Sequence, residues 1–161
     1  MKLNIRPMTT DDKSAVMQIL KTTPEFTPAE VVVAEEVLDI YLHDPSGPDY
    51  KVLVVEIGSS IKGYVCYGPT PLTQGTWDMY WVAVANGEQG RGIGGALFAA
   101  AEEKMKKARG RLILIETSSK PEYEKTRRFH ERQGYELVTR ISDFYSVGDD
   151  RLTFQKRLLQ S

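Results

Sequence analysis

The chain has 161 residues, 27% of them charged, and its 21 basic and 22 acidic side chains leave a formal net charge of −1. That length fits a single domain spanning residues 1–161, and the near-neutral balance excludes the basic field on which non-specific nucleic-acid binding depends. One cysteine, Cys66, excludes an internal disulfide and a cysteine-built metal cluster. No stretch is apolar enough for a signal peptide or a membrane span, so the expectation is a cytoplasmic protein with no metal, nucleic-acid or membrane partner.

In chain order, residues 3–6 read as a short strand stopped by Pro7, and Thr9 with Asp12 opens a helix bearing Val16, Ile19 and Leu20. Thr27-Pro28-Ala29-Glu30 is a stronger start signal: a capping threonine, proline at the first helical position and glutamate at the third. The helix that follows carries Val31, Ala34, Leu38 and Tyr41 on one stripe. Residues 51–57 and 61–67 are β-branched and aromatic runs joined across Gly58-Ser59-Ser60, hence a hairpin, and residues 77–84 return as a third strand.

Ile93, Leu97, Ala100, Met105 and Ala108 mark the buried face of the next helix. Residues 111–117 read as a strand covered on both faces. Pro121 and Gly134 bracket a helix with Tyr123, Phe129 and His130, and residues 135–140 and 151–158 read as two last strands around a polar, aromatic loop at 141–150. The expected class is α/β in the mixed α+β sense, in the order β-α-α-β-β-β-α-β-α-β-β.

Between the third strand and its helix lies Gln89-Gly90-Arg91-Gly92-Ile93-Gly94-Gly95. A glycine-dense strand-to-helix junction lets the backbone turn sharply and aim the unpaired N–H groups of a helix start at an anion. Arg91 adds a cation at the same place. A P-loop needs Gly-Lys-Ser/Thr, which is absent. The dinucleotide pattern G-x-G-x-x-G is formally met by Gly90, Gly92 and Gly95, with Glu116 as the ribose acid. Five residues nevertheless separate Val84 from Gly90, and about half the chain precedes the loop, which argues against that fold and leaves it a remote alternative.

Read as Gln-x-x-Gly-x-Gly, the loop resembles the signature of the GNAT superfamily of acyl-CoA-dependent N-acyltransferases. Ile5-Arg6-Pro7 with its helix entry resembles that family's first strand and helix, and Phe129-His130-Glu131-Arg132-Gln133-Gly134-Tyr135 resembles its late helix ending in Gly-aromatic. The resemblance implies a mixed, mostly antiparallel central sheet flanked by helices. It also implies acetyl-CoA as co-substrate and acetyl transfer to a primary amine, on a small molecule or a peptide, by direct attack in a ternary complex. Backbone groups of Val82, Ala83 and Val84 would meet the pantetheine arm, and the loop from Gln89 to Gly95 the pyrophosphate. An acyl-CoA-binding sensor without turnover is the alternative reading, and a homodimer stays open.

Period-two alternation puts Asp78, Tyr80, Val82 and Val84 on one strand face, opposite Trp77, Met79 and Trp81. The resemblance makes Asp78 the first candidate for general base, with Glu116 second. Where the family usually places a tyrosine acid, this chain has His130, whose protonated form would donate to the departing thiolate or whose neutral form would take a proton from the amine; the alternative is a surface histidine of no duty. Tyr123 lies seven residues earlier on the same helical face, and Tyr123 or Tyr145 is the alternative phenol; Tyr123 is also a candidate cofactor contact. The acceptor is expected between the early helices and the late loop, among Phe26, Glu30, Tyr41, Phe144 and Tyr145.

Overall fold

The computed structural model describes residues 2–159. Its order is β1 (Asn4–Pro7), α1 (Lys13–Thr22), α2 (Pro28–His43), β2 (Lys51–Ile57), β3 (Ser60–Pro69), β4 (Thr76–Val84), α3 (Ile93–Lys107), β5 (Leu112–Ser118), α4 (Glu124–Arg132), β6 (Glu136–Ser146) and β7 (Asp149–Arg157). Short 3-10 turns precede α1 and α4. The strands form one seven-stranded sheet in the order β1-β2-β3-β4-β5-β7-β6, antiparallel throughout except between β4 and β5.

The helix starts obey their local chemistry. Thr9 and Asp12 form a capping box ahead of α1, where Asp12 also holds the Arg6 guanidinium at 2.7 Å. At α2 the Thr27 side chain accepts from the Glu30 amide, and Glu30 accepts from the Thr27 amide at 3.1 Å. Two apolar clusters sandwich the sheet. One joins α3 to Val65, Tyr67, Trp77, Met79, Ile113 and Phe154, and the other joins α1 and α2 to Val54, Tyr64, Cys66 and Ala83. Each fully buried large apolar side chain in them contributes about 1.5–3 kcal/mol.

Two departures from strict sheet regularity shape the middle of the molecule. β4 and β5 pair only from Thr76 to Asp78 against Leu112 to Leu114, after which they diverge and leave a V-shaped opening. β4 also carries a bulge: Met79 pairs with Tyr67 and Trp81 with the adjacent Cys66, so Tyr80 is the extra residue. The bulge corrects the alternation expected from sequence. Trp77, Met79, Val82 and Val84 all pack toward α3, whereas Tyr80, Trp81 and Ala83 pack toward α1 and α2. Asp78 and Val82 therefore lie on opposite faces.

The segment expected as a loop at 141–150 is instead the end of a long hairpin. β6 runs to Ser146, β7 begins at Asp149, and Gly148 takes the turn at φ +83°. Ile141, Phe144 and Tyr145 are strand formers, and the polar residues among them sit on an exposed edge strand where polarity is no obstacle. An irregularity between Ile141 and Ser146 holds Asp143 at φ +56°, with its amide donating to Asp150.

Candidate active site

The divergence of β4 and β5 opens a cleft of about 770 Å³. Its walls are Met79 to Val82 of β4, Leu114 to Ser118 of β5, the loop bearing Phe26 between α1 and α2, and the start of α4 with Tyr123 and His130. Val82, Ala83 and Val84 pair with β3 on one edge. Their other edge faces the opening, since β5 has already turned away.

Beyond Val84 the chain enters the glycine loop. Gly87, Gly90 and Gly92 all have φ between +80° and +85°, a region costly for residues with a Cβ. Gln89 pins the loop back to its strand, donating from Nε2 to the Val84 carbonyl at 3.0 Å and accepting from the Gly87 amide. The first bond of the α3 ladder is Ala96 N–H to the Gly92 carbonyl, so the amides of Ile93, Gly94 and Gly95 precede it. A Cβ on Gly90 or Gly92 would meet no heavy atom within 4 Å, so the space over the loop is open to a ligand. Open amides, the positive end of a 15-residue helix and free space fit a pyrophosphate. Gly94 has a second duty, because a Cβ there would press to 3.1 Å on the Phe129 ring. Arg91 is ion-paired with Glu88 at 2.7 Å.

Asp78 stands at the vertex of the V as the last residue of β4 paired with β5, and the Thr70 hydroxyl donates to it at 2.7 Å. Glu116 lies on the opposite wall, exposed, with Arg151 at 3.7 Å. The Tyr123 hydroxyl donates to the Glu25 carbonyl at 2.7 Å and lies 3.4 Å from Glu30 Oε1, tying α4 to the loop between α1 and α2. Burial first, and then the negative charge of Glu30, push that phenol up to about 12, so it stays protonated across the neutral range.

His130 is not the surface residue that sequence allowed. It is 4% exposed, stacked on Phe98 at 5.8 Å between centroids and flanked by Phe129, Tyr135 and Phe154. Burial lowers its pKa to about 4, which corrects the expectation of a protonated donor: at neutral pH the ring is an uncharged imidazole. The residue nonetheless lines the cleft, while its Nδ1 is sealed from solvent with no hydrogen-bond partner among the described residues.

Of the expected acceptor residues, Phe26, Glu30 and Tyr145 line the cleft. Tyr41 does not. It is 4% exposed on the buried face of α2 and donates to the Met8 carbonyl at 3.1 Å, so the stripe it shares with Ala34 and Leu38 is core. Phe144 also stays out of the lining, packed against Tyr145 and under the Arg151 guanidinium at 4.6 Å. Sequence reading missed Tyr80, Ser118 and Asp149 as cleft residues. Ser118 donates to Asp149 in a buried bond between the end of β5 and the start of β7, a pairing over 31 positions that no local pattern announces. Arg127 donates to the Ser118 and Lys120 carbonyls and so fixes the entry to α4.

A splayed parallel pair beside a glycine-rich helix start defines the class of acyl-CoA-dependent acyltransferases that the loop resembles. The acetyltransferase (GNAT) family model matches residues 14–135, and the chain belongs to that family. It is 36% identical to a GNAT-family protein from Desulfovibrio desulfuricans whose crystal structure superposes with a TM-score of 0.93, over 97% of this chain and 99% of that one. An aminoglycoside 6′-N-acetyltransferase complexed with coenzyme A shares the fold at 15% identity and a TM-score of 0.77, with 98% of each chain covered. The ribosomal-protein-S18-alanine N-acetyltransferase from Escherichia coli also shares it, at 15% identity and a TM-score of 0.77, over 99% of this chain and 96% of that one. No curated protein sequence matches the chain. The protein is thus an acyl-CoA-dependent N-acetyltransferase by family. Among the described residues no helix is long and apolar enough to cross a membrane.

Proposed function

We propose that the protein transfers an acetyl group from acetyl-CoA to a primary amine by direct attack within a ternary complex. The observation that carries this reading is the V-shaped opening that begins at Asp78, with the outward backbone of Val82, Ala83 and Val84 along one arm and the glycine loop at its end. Acetyl-CoA, when bound, supplies the acetyl thioester. The amides at Gly90 to Gly95 hold its pyrophosphate, and the free edge of β4 aligns the pantetheine arm as an added strand would lie.

Asp78 takes the proton that the amine gives up as its nitrogen bonds to the acetyl carbon. His130, uncharged and stacked on Phe98, forms part of the cleft wall beside that amine. Tyr123 and Tyr145, both kept protonated by burial and neighbouring carboxylates, are the acids available to the sulfur as the carbon–sulfur bond breaks. Gln89 to Gly95 bind the donor, and Phe26, Glu30 and Tyr145 face the acceptor.

Gly92→Ala tests the donor half. The left-handed backbone costs a residue with a Cβ roughly 1–2 kcal/mol, and the new methyl projects into the space reserved for phosphate. Calorimetry is expected to show acetyl-CoA binding weakened about tenfold with cooperative thermal unfolding retained, 1.4 kcal/mol being about a factor of ten. Unchanged affinity would place the donor elsewhere.

A further inference from the structure

We propose that Thr70 is a positioning residue for acetyl transfer: its hydroxyl holds the Asp78 carboxylate by Oδ2 and so fixes the direction from which that group meets the amine. The proposal rests on the acetyltransferase reading above, with Asp78 as base, and adds to it a residue outside the cleft wall.

The bond is short and joins the turn between β3 and β4 to β4 itself. Thr70 Oγ1 donates to Asp78 Oδ2 at 2.7 Å, and both residues are half-buried. Asp78 belongs to the cleft lining and Thr70 does not, so whatever Thr70 does to the reaction passes through the carboxylate. A hydrogen bond to a charged acceptor is roughly twice as strong as a neutral one, which makes the hydroxyl an effective restraint on the Asp78 side chain.

The turn that carries Thr70 is fixed at both ends. The Thr70 amide donates to the Thr76 carbonyl at 2.8 Å, and the Thr70 carbonyl accepts from the Thr73 hydroxyl at 2.8 Å. Pro69 and Pro71 flank the residue. Each proline fixes its own φ, and Pro71 also confines the residue before it to extended backbone. Downstream, the Arg111 and Leu112 amides donate to the Gly75 carbonyl, and Arg111 Nε donates to the Gln74 carbonyl at 2.9 Å. The backbone of the turn is thus closed without the Thr70 side chain, whose hydroxyl is left for Asp78.

An independent feature marks the same turn. Leu72 stands at φ +64°, a left-handed conformation unfavourable to a residue with a Cβ, and its side chain is fully exposed. Strain of this kind persists where the surroundings over-determine the backbone, and it collects at functional sites. Tyr80 shares the Asp78 face of β4 and lines the cleft. Burial first, and then the Asp78 charge, raise its phenol above the ordinary value, so it is protonated and offers the amine no second base.

The test follows acetylation of n-butylamine and of a peptide with a free amine terminus, alongside calorimetric binding of acetyl-CoA and thermal unfolding. Thr70→Val keeps the shape of the side chain and removes the donor. It is expected to lower kcat about tenfold, as loss of one orienting hydrogen bond to a charged group predicts, with amine KM, acetyl-CoA affinity and the unfolding midpoint unchanged. Thr70→Ser restores the hydroxyl and should bring kcat back to within about threefold of the unaltered protein. In an Asp78→Asn background Thr70→Val should cost nothing further, because the base that it positions is gone. An unaltered kcat in Thr70→Val, a loss that Thr70→Ser does not repair, or a full further loss in the Asp78→Asn background overturns the proposal and leaves acetyl transfer standing. A Thr70→Val protein that no longer unfolds cooperatively overturns it too, since the bond would then fasten the turn. A wild-type rate in Asp78→Asn overturns the base reading and the positioning with it. Acetyl-CoA bound with no amine-dependent thiol release overturns the acetyltransferase reading itself.

Discussion

Asp78→Asn is expected to lower kcat for amine acetylation by about 10²- to 10⁴-fold, the range that a positioned general base supplies, while acetyl-CoA affinity stays unchanged. The amide has the size and shape of the carboxylate and can still hydrogen-bond the Thr70 hydroxyl, which now lies 2.7 Å away. The backbone pairing of residue 78 with Leu114 does not depend on its side chain. What asparagine lacks is a site for the proton that the attacking nitrogen must lose. The split between a large fall in kcat and an intact donor affinity separates this role from a purely structural one. Glu116→Gln is the paired control. It removes the facing carboxylate and leaves Asp78 in place, so kcat is expected to stay near that of the unaltered protein. A wild-type rate in Asp78→Asn would remove Asp78 from the reaction and return the base to Glu116.

The second large effect is on stability as a function of pH. His130 titrates at about 4 in the folded chain because it is buried, against 6.5 for the free side chain. Between those values the unfolded chain binds a proton that the folded chain does not, so stability falls as the pH drops from about 6.5 towards 4. Below the folded value the loss levels off at roughly 3 kcal/mol, each pKa unit being about 1.4 kcal/mol. His130→Phe keeps an aromatic ring among Phe98, Phe129, Tyr135 and Phe154 and removes the titration. Chemical unfolding at a series of pH values is expected to give this variant a flatter profile over that window. Asp12 and Asp150, whose pKa values are lowered by ion pairing and hydrogen bonding, also lose stability in acid, but they do so in both proteins and cancel in the difference. Parallel profiles for the two proteins would mean that His130 is solvated.

What could be read from the sequence was whatever local chemistry determines. Thr27-Pro28-Ala29-Glu30 specifies its helix start without help from elsewhere, and the structure has that capping box. Gly90 and Gly92 mark left-handed turns at the head of α3, where the structure puts them. The strand and helix order also follows, since each element carries its own period and its own stop signals. What could not be read depends on partners far along the chain. The bulge at Tyr80 arises from register against Cys66 and Tyr67, so strict alternation misassigned the faces of Val82 and Val84.

Burial misled in the same way. Tyr41 and His130 look amphipathic in isolation, and only the packing of β2, β3 and α3 encloses them. Residues 141–150 look like a loop because an edge strand has no buried face to impose a hydrophobic pattern. The residues of the cleft wall are each unremarkable in sequence, and only the fold brings them together. The glycine loop was therefore visible in one contiguous motif, whereas the cleft lining, spread from Pro24 to Asp149, was not.

The central claim is acetyl transfer to an amine, and the most direct measurement is release of the coenzyme A thiol from acetyl-CoA with and without an amine panel, with mass spectrometry of the amines afterwards. The account predicts release that depends on the amine and a product carrying one added acetyl group. Binding of acetyl-CoA with no amine-dependent release and no acetylated product would contradict it, and would make the cleft that of a sensor.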